Sequence, residues 1–323
     1  MQFKNILKPI LFIGILLFIL FMISYFALPS NSMEDGPYKK NKGILAVPQN
    51  TLDYIAMGDS ECSTSITPME IWKKYGYAGY NCGVPGQRLQ DAYYLLNKLL
   101  QKQSPKVILF ETNEFFRDFS YTASLQNSVD EATKKLLPIY KYHNSWKYFN
   151  LDMFKNVGQK VEIAYYNPMK GYHYNPERKP YIDGPYVDKT SKVAKIQDQP
   201  LLYLNKIIQL CKDKDIQLIF YTVPSPLCWT YEKHNAAAAI AKENNLLYLD
   251  LNLKTEKVGI DWSKDTRDYG NHVNFYGAKK VSRYIGKYLS KNTELKDRRE
   301  EVDYQTWNME LPKYLKVTKQ KLG

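Results

Sequence analysis

Short apolar runs alternating with helix-length amphipathic stretches constrain this chain more than any other feature of its sequence. Tyr54-Ile55-Ala56-Met57, Val107-Ile108-Leu109-Phe110, Leu218-Ile219-Phe220-Tyr221-Thr222-Val223 and Leu246-Leu247-Tyr248-Leu249 carry no charge and are too short to be helices of their own, which is the pattern of strands buried on both faces. Between or after them, residues 89–101, 201–211, 236–243 and 278–289 repeat apolar side chains at helical spacing. Strands that alternate with helices build an α/β fold, a parallel sheet with helices on both faces, whose ligands gather beyond the carboxyl ends of the strands. Those strand ends are therefore where chemistry is to be sought.

A segment of another kind precedes the alternation. Residues 9–28 are uncharged, about the ~20 residues a bilayer helix needs. Lys4 and Lys8 stand before them with no acid nearby, so the positive-inside tendency leaves the amino terminus in the cytoplasm and exports the rest; Lys39, Lys40 and Lys42 pull weakly the other way. A cleaved signal peptide is the rival, but its apolar region spans only ~7–15 residues and ends in a small-x-small site, which Phe26-Ala27-Leu28 lacks. The expectation is an uncleaved single-pass anchor over 1–28 in a bacterial cytoplasmic membrane, a linker over 29–50, and an extracytoplasmic domain over 51–290. Within that domain 120–199 loses the alternation and becomes rich in Tyr, Asn, Lys and Pro, too long for an ordinary connection and so read as an insertion. It serves as a lid or acceptor surface, or simply as a packed excursion. Residues 291–323 read as a charged tail.

Composition narrows the partners. With 44% hydrophobic and 24% charged residues, the 323-residue chain is neither disordered nor collagen-like. Its net charge of +12 is spread without a dense basic block, which favours anionic surroundings such as teichoic acid or phospholipid headgroups over nucleic acid. Tyrosines, 28 against 13 phenylalanines, suit glycan or interfacial surfaces as well as half-buried packing. Cys62, Cys82, Cys211 and Cys228 form no C-x-x-C pair and no tight histidine spacing, so neither a metal site nor a cofactor is expected. In an exported domain they pair as disulfides or remain buried thiols.

Four stretches carry candidate chemistry. The first strand runs into Gly58-Asp59-Ser60-Glu61, and a serine at a glycine turn after a buried strand presents its hydroxyl at the sheet's mouth. Gly, Asp and Ser are also ordinary turn and cap residues. His272 lies in Asp265-Thr-Arg-Asp268-Tyr-Gly-Asn-His272-Val-Asn274, where Asp268 is near enough to orient the imidazole and stabilise its cation. Asp265 competes for that role, and a plain helix-capping loop is the bland alternative. Asn81-Cys-Gly83-Val-Pro-Gly86-Gln87 allows a backbone amide to approach a ligand, and Glu111-Thr-Asn113-Glu114 puts a side-chain amide at another strand end. Any one could be a turn; together they supply nucleophile, donors and base.

These four blocks resemble those of the SGNH/GDSL hydrolase family over about residues 51–290, outside much of the insertion. The resemblance implies a flavodoxin-like three-layer sandwich, Ser60 as nucleophile, the Ser60 amide with Gly83 and Asn113 as oxyanion donors, His272 as base and Asp268 as its partner. Glu61, Gln87 and Asn274, within the same blocks, stand as substrate-binding candidates. Two departures are visible: glutamates flank the third block where the family has Gly-x-Asn-Asp, and the acid precedes His272 by four positions where the family usually has three. The anchor, Ser63 to Trp72, and His272 to Lys279 are similar to a bacterial branch that works beside membrane-bound O-acyltransferases, distantly including teichoic-acid D-alanylation proteins of the DltD type. That branch implies acyl transfer, of the O-acetylation or D-alanylation kind, to a cell-envelope glycan or teichoic acid through an acyl-enzyme. An esterase deacylating surface polysaccharide is a second reading, and a noncatalytic polymer-binding subunit of an acylation complex a third.

Overall fold

The computed structural model describes residues 4–26, 44, 47–122 and 168–320. The chain divides into two units, Met1–Lys39 with Ser120–Ala164, and Lys40–Phe119 with Tyr165–Gly323. In the first, α1 (Lys4–Phe26) is a 23-residue helix with Ile10, Phe12 and Phe18 more than half exposed. Among the described residues no helix is long and apolar enough to cross a membrane. The expected anchor, linker and first half of the insertion thus fall partly or wholly outside the described residues.

The second unit holds β1 (Tyr54–Met57), β2 (Gly79–Asn81), β3 (Val107–Glu111), β4 (Gln217–Thr222) and β5 (Leu247–Asp250) in one parallel sheet of order β2-β1-β3-β4-β5. Each expected apolar run is a strand, and Ile55, Phe110 and Phe220 are fully buried, as strands covered on both faces require. The helices are α2 (Ser60–Ser65), α3 (Pro68–Tyr75), α4 (Leu89–Leu99), α5 (Asp198–Asp213), α6 (Tyr231–Glu243), α7 (Thr255–Val258), α8 (Phe275–Asn292) and α9 (Gln305–Val317). Right-handed crossovers decide their faces. The chain steps from β1 to β2 in one direction and then back past β1 to β3 in the other, so α3 and α4 lie on opposite faces. The remaining steps keep the second direction, which places α5 beside α4, while α8 packs against α2 and α3. This is the flavodoxin-like strand order, and its switch point lies between β1 and β3.

Two segments depart from expectation. Residues 291–320 are not a loose charged tail: Trp307, Tyr314 and Leu315 of α9 are buried in the core. The surrounding lysines and acids hide an apolar helical face at 307, 311, 314 and 315. Trp307 packs on Trp72 with ring centroids 5.2 Å apart, and the buried Lys170 ammonium sits 3.9 Å from the Trp307 ring centre while paired with Glu310. Burial pushes the Lys170 pKa down to about 8 against the pull of Glu310. The buried Glu70 carboxylate accepts from Tyr314 Oη (3.3 Å), Gln320 Nε2 (2.9 Å) and Arg283 Nε (3.1 Å), so one side chain of α3 ties down α8, α9 and the residues after it.

The described half of the insertion, 168–197, has almost no regular structure yet is fixed along its length as a strap. His173 N donates to Ser63 O (2.8 Å), Lys179 N to Thr266 O (3.1 Å), Tyr181 N to Trp262 O (3.1 Å) and Ala194 N to Glu232 O (3.0 Å). These bonds supply partners that a sheet would otherwise provide. All four cysteines are free thiols, three of them buried.

Because α9 completes the core, Trp307→Ala is expected to cost about 3–5 kcal/mol, read as a lower urea midpoint at unchanged slope. A loss below about 1 kcal/mol would return 291–320 to the status of an appendage.

Candidate active site

At the end of β1 the chain turns through Gly58, whose φ of 148° and lack of room leave no place for a side chain: a Cβ would lie 2.6 Å from Glu111 Cβ. Asp59 follows, completely buried. Its Oδ1 accepts from Glu61 N (2.9 Å) and caps α2, while its Oδ2 accepts from Asn113 Nδ2 (3.0 Å) and Arg117 Nε (2.7 Å). One carboxylate therefore joins the ends of β1 and β3 at the switch point, and Ser60, partly exposed, opens α2 beside that knot.

The histidine arrives on the loop before α8. A Thr266–Val273 bridge closes its base, and Tyr269 (φ 62°) with Gly270 (φ 95°) turns the chain back on itself. Left-handed backbone at a bulky residue is costly and persists only where surroundings impose it; here Tyr269 N donates to Lys179 O (3.1 Å) and Gly270 N to Thr266 Oγ1 (2.8 Å). The turn brings Asp268 Oδ2 to 2.6 Å from His272 Nδ1, with Oδ1 accepting from His272 N at 2.6 Å. Asp265 is instead buried against Lys280 (2.5 Å) and Asp261 N (2.7 Å). Of the two acids, Asp268 is thus the one on the imidazole, at a spacing of four.

On the other side of the ring, Nε2 stands 4.0 Å from Glu61 Oε1, beyond hydrogen-bonding distance. Among the described residues no hydrogen bond joins His272 to Ser60. Glu61 is buried, and its Oε2 meets no hydrogen-bond geometry among the described residues. Burial pushes its pKa up to about 7, with His272 pulling it down and Asp59 pushing it further up. Burial lowers the His272 pKa, but the Asp268 hydrogen bond and then the Glu61 charge outweigh it, leaving the ring above its ordinary value. Asp268 is opposed by burial and still ends below the usual carboxylate range because of its bonds from His272. Burial also holds Glu111 and Glu114 well above that range, and the Asp59 charge pushes both further up.

The other candidates separate into open and committed groups. Asn113 receives Lys233 Nζ on its Oδ1 (3.2 Å) and gives one amide hydrogen to Asp59, keeping its second for a ligand. Gly83 has a single N–H, and it donates to Asn81 Oδ1 (2.9 Å). A Cβ at Gly83 would fall 2.5 Å from Ser63 N, so the glycine is required by close packing on α2. The expectation of a Gly83 oxyanion donor is therefore not met in this arrangement. Gln87 and Asn274 also depart from their expected substrate-binding role, because both are buried and bonded to the protein's own backbone. The Gln87 amide, oriented nitrogen-first, spans Gly58 O (2.8 Å) and Ala92 N (3.2 Å). Asn274 caps α8 through Tyr276 N and Gly277 N and donates to Lys264 O (2.7 Å) and Glu177 O (3.0 Å).

Ser225, which the sequence blocks leave out, lies after β4 with its Oγ 2.6 Å from Asn271 O and 3.1 Å from Glu61 Oε1. A protonated Glu61 satisfies this geometry by donating to Ser225, which then gives its own hydrogen to Asn271. Its signal was the Pro224-Ser225-Pro226 turn at a strand's carboxyl end. Glu61, Asn113, Thr222, Ser225, Cys228 and Lys233 contribute to the wall of a cavity of about 10 Å³, room for about one water.

No protein-family model and no curated protein matches the chain. Solved acyl hydrolases overlap its outline. They include a GDSL-like lipase from Bacteroides thetaiotaomicron (12% identity, 82% of this chain and 98% of that one, TM-score 0.41). Another is the lipase/acylhydrolase from Enterococcus faecalis (14%, 76% and 99%, 0.37). A third is the esterase EstA from Pseudoalteromonas, inhibited by monoethylphosphonate (10%, 74% and 97%, 0.37). Likeness at this level carries no argument about chemistry, which rests on the residues described above.

The electrostatics make a signed prediction. Glu61→Gln removes a charge that raises the His272 pKa, so the ring's titration followed by NMR should move to lower pH, and Asp268→Asn should move it in the same direction. In the wild type, His272 contributes stability fully below its ordinary value of 6.5 and loses it as pH rises through the higher folded value. Asp268 contributes above 3.8 and loses its share as pH falls through its depressed folded value. An unmoved His272 titration in Glu61→Gln would remove Glu61 from the ring's environment.

Proposed function

We propose that this chain is a membrane-anchored, extracytoplasmic acyl-transfer enzyme of the SGNH/GDSL kind, acting through an acyl-Ser60 intermediate on a cell-envelope polymer. The observation that carries the reading is the 2.6 Å Asp268–His272 pair, with no hydrogen bond at Nε2 among the described residues, on a loop that meets the Ser60 turn at Glu61. Imidazole held through Nδ1 by a carboxylate has the right tautomer to accept a proton at Nε2.

In this mechanism His272 takes the Ser60 proton as Oγ attacks an ester or thioester carbonyl. The oxyanion is met by the Ser60 amide and the spare hydrogen of Asn113. Collapse breaks the bond to the leaving group, which receives the proton from His272, and leaves the acyl group on Ser60. An acceptor hydroxyl then gives its proton to His272 and attacks the acyl carbonyl; the bond to Ser60 Oγ breaks and His272 returns the proton to that oxygen, restoring Ser60. With water as acceptor the same steps describe an esterase. Transfer of the O-acetylation or D-alanylation type is favoured by the basic chain and the uncharged 9–28 stretch, which fit a site beside a membrane and its anionic polymers. A membrane-bound O-acyltransferase is the donor-side partner in this reading, and no cofactor is required.

A fluorophosphonate is expected to add once to the full chain in detergent, with peptide mapping placing the adduct on Ser60. His272→Ala should slow the labelling by at least ~100-fold, and Ser60→Ala should abolish it. Labelling elsewhere, or turnover of an acyl ester by Ser60→Ala at the wild-type rate, would overturn the assignment.

A further inference from the structure

Lys233 stands where a helix tolerates a cation least. It lies in the first turn of α6, and its backbone N donates to Oγ1 of the N-cap Thr230 (3.3 Å). The N–H groups of a first turn carry partial positive charge. Lys242, at the other end of the same helix, shows the arrangement that the helix field favours. Nor does an acid answer the Lys233 ammonium, which forms no ion pair among the described residues. Nζ donates instead to Cys228 O (2.6 Å) and Asn113 Oδ1 (3.2 Å), with the Phe116 ring centre 5.4 Å away. The side chain is half-buried and joins Asn113, Phe116 and Cys228 in the wall of the small cavity beside Glu61. A cation withdrawn from water against the field of its own helix, with two neutral oxygens as partners, is disfavoured on both counts. Residues that break a local rule in this way gather at functional sites.

The amide it meets has an opposite charge at each end. Asn113 Nδ2 donates to Asp59 Oδ2 (3.0 Å), while Oδ1 faces the ammonium. Turned over, Asn113 would set its oxygen against a buried carboxylate and its nitrogen against a cation. The two charges therefore fix the orientation of the amide and the direction of its second hydrogen. They also strengthen that hydrogen as a donor: a carbonyl oxygen accepting from a cation draws electron density from the amide nitrogen. With the Gly83 N–H spent on Asn81 Oδ1 (2.9 Å), a larger share of the oxyanion falls to Asn113.

We propose that Lys233 is a positioning residue for the acyl-transfer site: through Asn113 Oδ1 its ammonium orients and polarises the amide, so that the second Nδ2 hydrogen meets the oxyanion. The purpose rests on the acyl-Ser60 reading; the coupling of Lys233 to the amide does not. The test is a double-mutant cycle on the full chain in detergent, following fluorophosphonate labelling of the wild type, Lys233→Met, Asn113→Ala and the double variant. At saturating reagent, Asn113→Ala should slow labelling about 10²–10³-fold and Lys233→Met about ten- to hundredfold. The half-saturating concentration should move less than about threefold in both. In the Asn113→Ala background, Lys233→Met should cost less than about twofold. Lys242→Met, exposed at the far end of α6, should leave the rate unchanged. All variants should keep the wild-type unfolding midpoint, and Lys233→Gln takes the place of Lys233→Met if the latter lowers it. A merely structural tie would slow both backgrounds alike. Equal losses in the two backgrounds, equal losses in Lys233→Met and Lys242→Met, or no loss in Lys233→Met would each overturn the proposal. A second readout involves no acyl chemistry. With asparagine nitrogen-15 labelled, Lys233→Met should shift the Asn113 side-chain amide resonances, identified by their loss in Asn113→Ala, and Lys242→Met should not. Unmoved resonances would also overturn the proposal. If the wild type takes no label, the acyl-Ser60 reading fails and these resonances alone decide the coupling.

Discussion

A carboxylate with no access to water must be answered by charge and hydrogen bonds on every side, and Asp59 is the group on which the rest of this site depends. Its two oxygens take up the start of α2, the Asn113 amide and the Arg117 guanidinium. None of these partners is near it in the sequence beyond Glu61, so meeting its requirement brings β1 and β3 to a common end. Ser60 is then presented at the switch point of the sheet, and Asn113 is aimed at the same place.

Around that centre the molecule gathers four buried acids. Asp59, Glu61, Glu111 and Glu114 are all buried, and like charges so close cannot all be carried. Burial and the Asp59 charge raise Glu111 and Glu114 well above the usual carboxylate range, while Glu61 sits between the imidazole that favours its charge and Asp59, which opposes it. The consequence for His272 is an environment with a carboxylate on each side, one hydrogen-bonded and one 4.0 Å away. The ring's basicity is therefore a property of the group and not of the Asp268 pair alone.

The sheet was legible because its strands are uncharged runs buried on both faces, and their ends located Ser60 and Asn113. Asp268 over Asp265 was not decidable from spacing, since it depends on a left-handed turn at Tyr269 that an aromatic residue does not announce. Gly83, Gln87 and Asn274 carry the right residue types in the right blocks, but they are buried and bonded inside the protein, which the sequence does not show. The role of Ser225 needed the third dimension as well, because it reaches Glu61 across 164 positions of sequence. The carboxyl-terminal helix escaped notice for a different reason: the stretch that leads into it is densely charged, and burial in the helix follows one face and not the average.

That helix also imposes an order of events on synthesis. Thr67 donates to the Tyr314 hydroxyl across 247 positions, and Trp72 packs on Trp307. At a translation rate of roughly 5–20 residues per second, the early partners wait about 12–50 s for the late ones. Through that interval an indole destined for the interior remains uncovered, and the core closes only when the last helix docks.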